Sequence, residues 1–465
     1  MSPSRTAIIH NEVRYTYRDI FDRSSLLAGA LRGLGIGFGD RVAYLGPNAP
    51  QLAETLFACG MLGAIFVPLN YRLAGPELTP ILSDCEPRLL IRDPACPALF
   101  PGPAVTLDEY PALLGSAAAL AADVPVSLDD VCMIQYTSGT SGRPKGVTLT
   151  HGNITWNCYN LLIDVDVTAD EVSLVSSPMF HTAALNQLFL PTFLKGGTSV
   201  LMPAFTPDDA FGLIERYRVT WMFGVPAMFA MMARAPEWET ADLSSVRTLM
   251  CGGAPVPDAL IATYQRRGLM FVQGYGLTET SPGALFLRAP DSVRKAGSAG
   301  TACFFTDVRL QDEEVLVSGP NVTPGYWNQP EATAAALDGD GWLRTGDAAV
   351  QDDEGYFSIT GRLKDMFISG GENVYPAEVE NALCQHPAVA ECAVLGLPDP
   401  RWGEVGHAVV VLKPGFATDA PDLLTWLDGR LARYKIPKTL AFTPALPRNA
   451  AGKVLRSQLR PPPPS

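Results

Sequence analysis

The residue types in the run 136–147, YTSGTSGRPKGV, are suited to binding phosphate. Glycine lets backbone N–H groups approach an anion closely, and the serine and threonine hydroxyls add further donors. Lys145, near the end of the run, offers a positive charge for phosphate. The GxxxxGK[ST] spacing of a Walker A loop is absent. Because the run follows an apolar stretch at 131–135, it predicts a phosphate-binding loop after a strand, where a flexible surface loop is the alternative.

The run resembles the phosphate loop of the acyl-adenylate-forming superfamily, which includes acyl-CoA synthetases, firefly-luciferase-like enzymes and nonribosomal peptide adenylation domains. Further motifs of the superfamily follow in the family order, and the resemblance spans nearly the whole chain. These motifs are CGGAP at 251–255, YGLTET at 275–280, WLRTGD at 342–347, GRLKD at 361–365, ISGGENVYP at 368–376 and LPRNAAGKVLR at 446–456. Within the superfamily, the general resemblance is to AMP-dependent acyl-CoA synthetases of the fatty-acid–CoA ligase type.

The resemblance implies a nucleotide site for ATP and AMP. Tyr275 would stack on adenine, Asp347 would accept hydrogen bonds from both ribose hydroxyls, and Arg362 would also contact the ribose. An ionised carboxylate is the natural acceptor for a diol. For the loop at 251–255, a plain strand-to-helix turn remains an alternative. The predicted ATP- and AMP-binding residues are Thr137, Ser138, Gly139, Thr140, Ser141, Gly142, Gly253, Ala254, Pro255, Tyr275, Gly276, Asp347 and Arg362.

The resemblance also implies five catalytic residues. Thr278 would contact phosphate and the acyl carboxylate, and Glu279 would hold Mg²⁺, which prefers one or two carboxylates beside substrate phosphates. Lys145 would neutralise phosphate charge together with the metal. Lys453 would bridge the attacking carboxylate and the α-phosphate, where negative charge accumulates. His181 would border the acyl pocket and gate the approach of a thiol, although a packed side chain is the alternative.

The same resemblance predicts three segments along the chain. They are an N-terminal adenylate-forming domain at 1–361, a hinge at 362–365 centred on Lys364, and a C-terminal α+β domain at 366–465. We expect the C-terminal domain to rotate about Lys364 between the two half-reactions. Lys453 would then leave, and Gly370 and Gly371 would help to form the channel for CoA.

The acid is predicted to be a fatty or aryl carboxylic acid. Amino-acid-activating relatives carry an Asp just after the aromatic motif, but here Phe180 is followed by HTAALN. Apolar or small residues at the predicted pocket positions favour an apolar acid. These positions are Ala184, Trp221, Phe223, Val225 and Gly252.

Coenzyme A is the favoured acceptor, but the sequence leaves alternatives open. An adenylating enzyme that loads a separate carrier protein or another nucleophile would share the same motifs, and so would a luciferase-like oxygenase. A non-catalytic ligand-binding paralogue is disfavoured because every chemical position is filled. The expected partners are therefore a small-molecule acid, ATP and CoA, with a carrier protein and a second copy of the chain as further candidates.

Alternating helices and strands must position these residues. From 15 to 273, helical stretches alternate with short β-rich runs that are apolar throughout, as expected for doubly wound layers covered on both faces. After 297, short strands separated by Gly, Asp and Pro turns predict a small antiparallel β unit. From 374, helices at 376–384 and 422–431 and strands at 389–395 and 407–412 predict a small, mobile α+β domain. The fold class is therefore α/β.

Composition excludes several other classes of protein. The chain has 465 residues, too many for a single core, and a formal net charge of −13, which argues against nucleic-acid binding. Its nine cysteines form no CxxC pair, which indicates reduced thiols. The apolar stretch at 219–233 is shorter than the roughly 20 residues of a membrane helix, and the first eleven residues lack a signal-peptide pattern. We expect a cytoplasmic protein without an integral membrane segment.

Overall fold

The computed structural model describes residues 3–138, 144–369, 372–428, 430–448 and 454–461. Sheet A has a parallel centre that runs from β1 to β13, with antiparallel strands at both edges. Its strands, in spatial order, are β15 (Thr301–Ala302), β14 (Gly283–Phe286), β13 (Phe271–Gly276), β12 (Thr248–Gly252), β11 (Trp221–Gly224), β9 (Val172–Val175), β10 (Thr198–Leu201), β1 (Thr6–His10) and β2 (Val13–Thr16).

Sheet B is also parallel at its centre, and it ends in an antiparallel hairpin that carries the predicted phosphate loop. Its strands, in spatial order, are β18 (Gly325–Tyr326), β8 (Pro144–Thr150), β7 (Val131–Ser138), β4 (Ile65–Leu69), β3 (Arg41–Leu45), β5 (Leu89–Arg92) and β6 (Ala104–Thr106).

Helices cover both sheets, so the predicted α/β architecture is confirmed. In chain order they are α1 (Tyr17–Gly33), α2 (Pro50–Leu62), α3 (Gly75–Cys85), α4 (Tyr110–Gly115), α5 (His151–Asp164), α6 (Leu190–Lys195), α7 (Pro207–Tyr217), α8 (Pro226–Met232), α9 (Asp258–Arg266), α10 (Pro330–Ala336), α11 (Pro376–Cys384) and α12 (Ala420–Leu427). A π-helix, Ala183–Phe189, leads into α6. Short 3₁₀ turns occur at Pro236–Glu239, Thr278–Thr280, Ala289–Asp291, Leu363–Asp365 and Arg456–Leu459.

One buried cluster joins the two sheets. It contains Phe66 and Met133 from sheet B together with Trp221 and Met250 from sheet A. Leu185 of the π-helix belongs to the same cluster. Burial of apolar surface in this cluster therefore fixes the β7–β8 hairpin relative to the strands of sheet A.

Sheet C is the small antiparallel unit that the turn-rich sequence after 297 predicts. Its strands, in spatial order, are β16 (Asp307–Gln311), β17 (Glu314–Ser318), β19 (Leu343–Gln351) and β20 (Phe357–Arg362). The register of the last pair places Asp347 opposite Arg362. Two predicted site residues are therefore neighbours because of strand pairing alone.

Sheet D and helices α11 and α12 form the C-terminal α+β unit, with a core of its own around Phe367, Val379 and Val410. The strands are β22 (Glu372–Val374), β21 (Phe367–Ser369), β24 (Gly403–Leu412), β23 (Val389–Asp399) and β25 (Thr439–Phe442). A separate core is typical of a separate domain, while the boundaries at 361 and 366 stay a prediction.

One predicted helix in this unit is misplaced. The sequence predicts it at 422–431, but α12 occupies Ala420–Leu427. The Asp419 carboxylate caps its start by accepting a hydrogen bond from the backbone N–H of Asp422, and Asp428 adopts an extended conformation that ends it. None of the described helices has the length and apolar character that crossing a bilayer requires.

Candidate active site

The β7–β8 hairpin positions the residues on either side of the predicted phosphate loop. Thr137 lies opposite Lys145 in the register, and its hydroxyl donates to the Lys145 carbonyl at 3.4 Å. Ser138 ends β7, and its side chain lies outside the described residues, as do Gly139, Thr140, Ser141 and Gly142. The Lys145 ammonium lies over the ring of Tyr326, 4.5 Å from the ring centre, as in a cation–π contact.

Tyr326 connects Lys145 to Glu279. Its hydroxyl donates to Glu279 Oε1 at 2.8 Å, while its ring faces Lys145. Burial, and to a smaller extent the negative charge of Glu279, raises the pKa of this hydroxyl well above its usual value. The hydroxyl therefore stays protonated and can donate. Tyr326 is in place because β18 pairs with β8, so that Tyr326 lies opposite Val147. Tyr326 is absent from the residues predicted from the sequence, because a single Gly-Tyr dipeptide carries no signal that would identify it.

Tyr275, Asp347 and Arg362 form a second cluster. The Tyr275 hydroxyl donates to Asp347 Oδ2 at 2.7 Å, and Arg362 Nε lies 2.6 Å from Asp347 Oδ1. Asp347 is buried, with 5% of its surface exposed. Burial and the neighbouring carboxylate raise the pKa of Tyr275 well above its usual value. The predicted nucleotide residues of this cluster therefore meet around one buried, charge-paired carboxylate.

The glycines at the ends of β12 and β13 allow the backbones to approach each other closely. A Cβ on Gly276 would lie 1.6 Å from the carbonyl oxygen of Pro282, and one on Gly252 would lie 2.6 Å from that of Gly274. Gly253, Ala254 and Pro255 follow Gly252 and are exposed. These residues therefore surround the carboxyl ends of neighbouring parallel strands, where α/β proteins commonly bind ligands.

Buried amide and hydroxyl groups hold the turn that carries Thr278 and Glu279. Asn321 Nδ2 donates to the carbonyls of Thr280 at 2.9 Å and Gly283 at 2.7 Å. Asn321 Oδ1 in turn accepts from the Thr306 hydroxyl at 2.9 Å, and Asn160 of α5 donates to the same hydroxyl oxygen at 3.0 Å. Asn160 and Asn321 are fully buried. The turn is thus shaped by protein contacts, before any ligand binds.

His181 lies just before the π-helix, and its ring centre is 4.4 Å from that of Phe180. The side chain is accessible to solvent, yet protein atoms crowd it as in a cleft. This desolvation, with a smaller contribution from the positive charge of Arg72, lowers the pKa of His181 to about 4. The imidazole is therefore neutral near pH 7.

The predicted acyl-pocket residues lie along one face of sheet A and the π-helix beside it. Trp221, Phe223 and the π-helix residue Ala184 are buried in the same cluster. Gly252 ends β12, and a Cβ there would lie 3.6 Å from the Phe223 ring. Val225 follows β11 and is half-buried.

The C-terminal unit carries the remaining predicted residues. Lys364 lies in the 3₁₀ turn directly after β20, as a hinge position requires. Lys453, Gly370 and Gly371 lie outside the described residues. Arg456, three residues after Lys453, lies 2.6 Å from Glu380 of α11 and 3.9 Å from Asp365.

The residues present fit Mg²⁺. Among the described residues, no group of three or more His, Cys, Asp or Glu side chains could hold a metal by itself. Mg²⁺ does not need such a group, because one carboxylate together with substrate phosphates and waters suffices. A carboxylate has roughly four lone-pair sites, so the bond from Tyr326 leaves Glu279 able to bind a cation.

The two clusters belong to one site. Lys145 and Glu279 meet across Tyr326, and Tyr275 and Arg362 meet at Asp347. Only three residues of backbone separate Tyr275 from Glu279. The phosphate-loop hairpin and the turn Thr278–Thr280 are therefore adjacent and do not lie on opposite surfaces. The roles of the individual residues remain predictions.

Known proteins resemble this chain along its whole length. Residues 1–327 match the family model "AMP-binding enzyme", and residues 378–453 match "AMP-binding enzyme C-terminal domain". A feruloyl-CoA synthase from Amycolatopsis sp is 52% identical, covering 99% of this chain and 96% of that protein. An indoleacetate–CoA ligase from Aromatoleum aromaticum is 43% identical, covering 99% and 95%.

Solved structures agree with these sequence relatives. The o-succinylbenzoate CoA synthetase MenE from Bacillus subtilis, in complex with its acyl-adenylate intermediate, superposes with a TM-score of 0.90 at 33% identity. The match covers 99% of this chain and 96% of that one. The resemblance seen in the sequence motifs is thus confirmed. The chain belongs to the AMP-binding enzyme family, and within the acyl-adenylate-forming superfamily it is an AMP-forming acid–CoA ligase.

Proposed function

We propose that this ligase activates an aryl-substituted carboxylic acid and that the residues around Tyr326 and Asp347 bind its MgATP. In the first half-reaction, a carboxylate oxygen attacks the α-phosphorus of ATP, giving acyl-AMP and pyrophosphate. In the second, the thiol of CoA displaces AMP, giving the thioester. The observation that carries the proposal is the convergence of Lys145 and Glu279 on the two sides of Tyr326.

Asp347 and Tyr275 would fix the nucleoside. The buried Asp347 carboxylate, paired with Arg362, can accept hydrogen bonds from the ribose hydroxyls. The Tyr275 ring, anchored by its hydroxyl to Asp347, would lie against the adenine. Both groups are held in place by protein contacts, so binding costs little reorganisation.

Lys145 and Glu279 would act on the phosphates. Mg²⁺, when bound at Glu279, supplies neutralisation of the negative charge that builds up on the departing pyrophosphate. Lys145 adds a cation on the other side of Tyr326. Lys453 would come to the attacking carboxylate and the α-phosphate, as the resemblance implies. Thr278, next to Glu279, would contact phosphate and the acyl carboxylate.

The second half-reaction would need the C-terminal unit to turn about Lys364, bringing Gly370 and Gly371 to the thiol channel. The pKa of His181 near 4 keeps its ring neutral, so we assign it a steric role at the entrance and not the role of a general base. We propose a cytoplasmic location, since none of the nine cysteines is in a disulfide.

The pocket favours an aryl acid over a fatty acid. Trp221 and Phe223 present two aromatic rings on one side of the predicted pocket, and rings stack well on such surfaces. The feruloyl-CoA synthase and the indoleacetate–CoA ligase to which the chain is similar are both named for acids that carry an aromatic ring. We therefore expect a hydroxycinnamate-like acid to be a good substrate.

A panel of acids tests this proposal. ATP–pyrophosphate exchange is measured with cinnamic, indoleacetic, benzoic and straight-chain fatty acids, and acyl-CoA is detected by mass spectrometry. We expect exchange with aryl acids to exceed exchange with fatty acids by about tenfold, a difference typical of pocket fit. A preference for fatty acids would contradict the proposed acid class. Adenylation without CoA consumption would favour a separate carrier protein as acceptor, and light scattering tests the predicted second copy of the chain.

Lys453→Ala tests the role of the C-terminal motif. We expect exchange to fall by about a hundredfold or more, as when an electrostatic group at the transition state is removed. Transfer from synthetic acyl-AMP to CoA should be retained. Lys438→Ala, which removes an exposed lysine of the same unit, is the matched control. Equal loss of both half-reactions would contradict the proposed alternation.

A further inference from the structure

Trp221 contains a buried hydrogen-bond donor without an acceptor. Its side chain is 1% exposed, and among the described residues its indole Nε1 has no hydrogen-bond partner. An indole N–H can only donate, and a buried tryptophan usually finds an acceptor. Leaving such a donor unsatisfied destabilises the protein. The orphaned N–H therefore needs a reason, and a ligand acceptor is one.

We place Trp221 at the deep end of the predicted acyl pocket. Side chains alternate along β11, so that Trp221 and Phe223 join the cluster that contains the π-helix, whereas Met222 joins the cluster on the other face. Because ligands of open α/β sheets bind outside the carboxyl ends of the strands, we take the entrance to lie at that end of β11, after Gly224. Three residues of strand separate Trp221 from that end, which corresponds to about 10 Å. An aryl acid that enters carboxylate-last would reach this depth with the far end of its ring.

Gln187 of the π-helix is a second poorly satisfied donor on the same side of sheet A. Its Nε2 lies 2.8 Å from the sulfur of Met250, and a thioether is a weak acceptor. The same nitrogen lies 3.3 Å from where a Cβ on Gly274 would be. Met250 belongs to the cluster that contains Trp221. Two N–H donors thus belong to one apolar region without a strong acceptor for either.

We propose that Trp221 and Gln187 form a polar floor that binds an uncharged oxygen at the end of the acid remote from its carboxylate. This inference rests on the proposed aryl-acid function and deepens it. The fitting substituent is a phenolic hydroxyl, an alkoxy group or a carbonyl. A second carboxylate does not fit, because the described part of the chain has no fully buried lysine or arginine to balance its charge. Trp221 and Gln187 are therefore specificity-determining residues.

Paired acids test the floor. Values of kcat/KM are measured for 4-hydroxycinnamate and cinnamate, which differ by one oxygen, with wild type, Trp221→Phe and Gln187→Leu. Wild type should prefer the hydroxylated acid. In each variant this preference should fall by about fivefold, the effect of one neutral hydrogen bond. Because the ratio of two acids is compared, a general loss from the altered ring volume cancels.

Trp238→Phe is the matched control, since Trp238 is a buried tryptophan in the cluster on the other face of sheet A. Its ratio should equal that of wild type. Wild-type activity on both acids with equal kcat/KM would overturn the polar floor and leave the aryl-acid proposal intact. So would a wild-type preference that survives in both variants, and if Trp221→Phe does not fold, Gln187→Leu alone decides. No activity on either acid, with activity on fatty acids, would overturn the proposed acid class together with the floor.

Discussion

Replacing Tyr326 by phenylalanine removes the hydroxyl that donates to Glu279 and leaves the ring beneath Lys145 in place. The substitution separates two contacts that a larger change would remove together. Glu279 loses its donor at 2.8 Å, while the cation–π contact of Lys145 at 4.5 Å is kept. The Glu279 carboxylate would then be free to rotate away from the position in which it meets the metal and the phosphates.

The expected loss follows from the type of bond. Hydrogen bonds to charged groups contribute ~1.5–3 kcal/mol. Tyr326 and Glu279 are half-buried, so water replaces part of the bond and the lower end of this range applies. Since about 1.4 kcal/mol corresponds to a factor of ten, kcat/KM for MgATP should fall by about tenfold. Tyr326→Leu also removes the ring, and the lost cation–π contact should cost a further factor of about three.

ATP–pyrophosphate exchange over a range of Mg²⁺ concentrations measures this effect, and thermal unfolding checks that the fold is intact. Tyr356→Phe is the matched control. Tyr356 also has a lysine over its ring, Lys295 at 4.7 Å, and its hydroxyl accepts from Arg294 at 3.4 Å, but it lies in the exposed β19–β20 hairpin. We expect its kinetics to equal those of wild type.

Wild-type kcat/KM and wild-type Mg²⁺ dependence in Tyr326→Phe would refute the proposed role of the Tyr326 hydroxyl. That result would mean that Glu279 is positioned by other contacts. A loss of activity in Tyr356→Phe of similar size would also refute it, because the effect would then be general and not local to the site.

Three more predictions concern stability and pH. Asn321→Leu should lower the free energy of unfolding by about 2–4 kcal/mol, measured in urea, because it leaves buried carbonyls without donors; an unchanged urea midpoint would contradict the assigned role of the network. Gly276→Ala should abolish adenylation, since the new Cβ would lie 1.6 Å from the Pro282 carbonyl oxygen. Wild-type pyrophosphate exchange in this variant would contradict the prediction, because it would mean that the backbone can move to make room for the Cβ. Because the pKa of His181 lies near 4 in the folded chain, below its ordinary value, the unfolded chain binds the proton first as the pH falls. The free energy of unfolding should thus decrease as the pH falls from about 6.5 to 4, and His181→Gln should make this decrease smaller. An NMR titration of the His181 ring with a midpoint near pH 6.5 would contradict this prediction.

Local patterns in the sequence predicted much of the fold. Short apolar strands such as Val172–Val175 lie within the stretch 15–273 for which such strands are predicted, and the helix Pro376–Cys384 has its predicted bounds. The helix predicted at 422–431 was wrong because a cap and an extended residue, not the apolar pattern, set its ends. Helix α5 was not predicted, since its buried asparagines give it polar residues where a core-facing helix normally has apolar ones.

The candidate site was predicted from motifs and not from local physics. Asp347 and Arg362 meet because two strands pair, which a turn-rich sequence suggests only in outline. Tyr326 reaches Glu279 because β18 joins the edge of sheet B, to a strand that lies far earlier in the chain. The orphaned N–H of Trp221 depends on what surrounds the indole in three dimensions. Contacts of this kind leave no periodic pattern in the sequence, so the sequence alone does not predict them.

The contacts of Arg456 have a consequence for the equilibrium between the two orientations of the C-terminal unit. Arg456 and Glu380 belong to the same unit and would stay together during rotation, whereas Asp365 lies within the proposed hinge at 362–365, whose backbone must change. Of the two contacts of Arg456, turning would therefore change only the weaker one, the pair at 3.9 Å between partly exposed groups. Dissolved salt screens such a pair far more than a buried one. Ionic strength should thus shift the balance toward the turned orientation, without any change in the chemistry of either step.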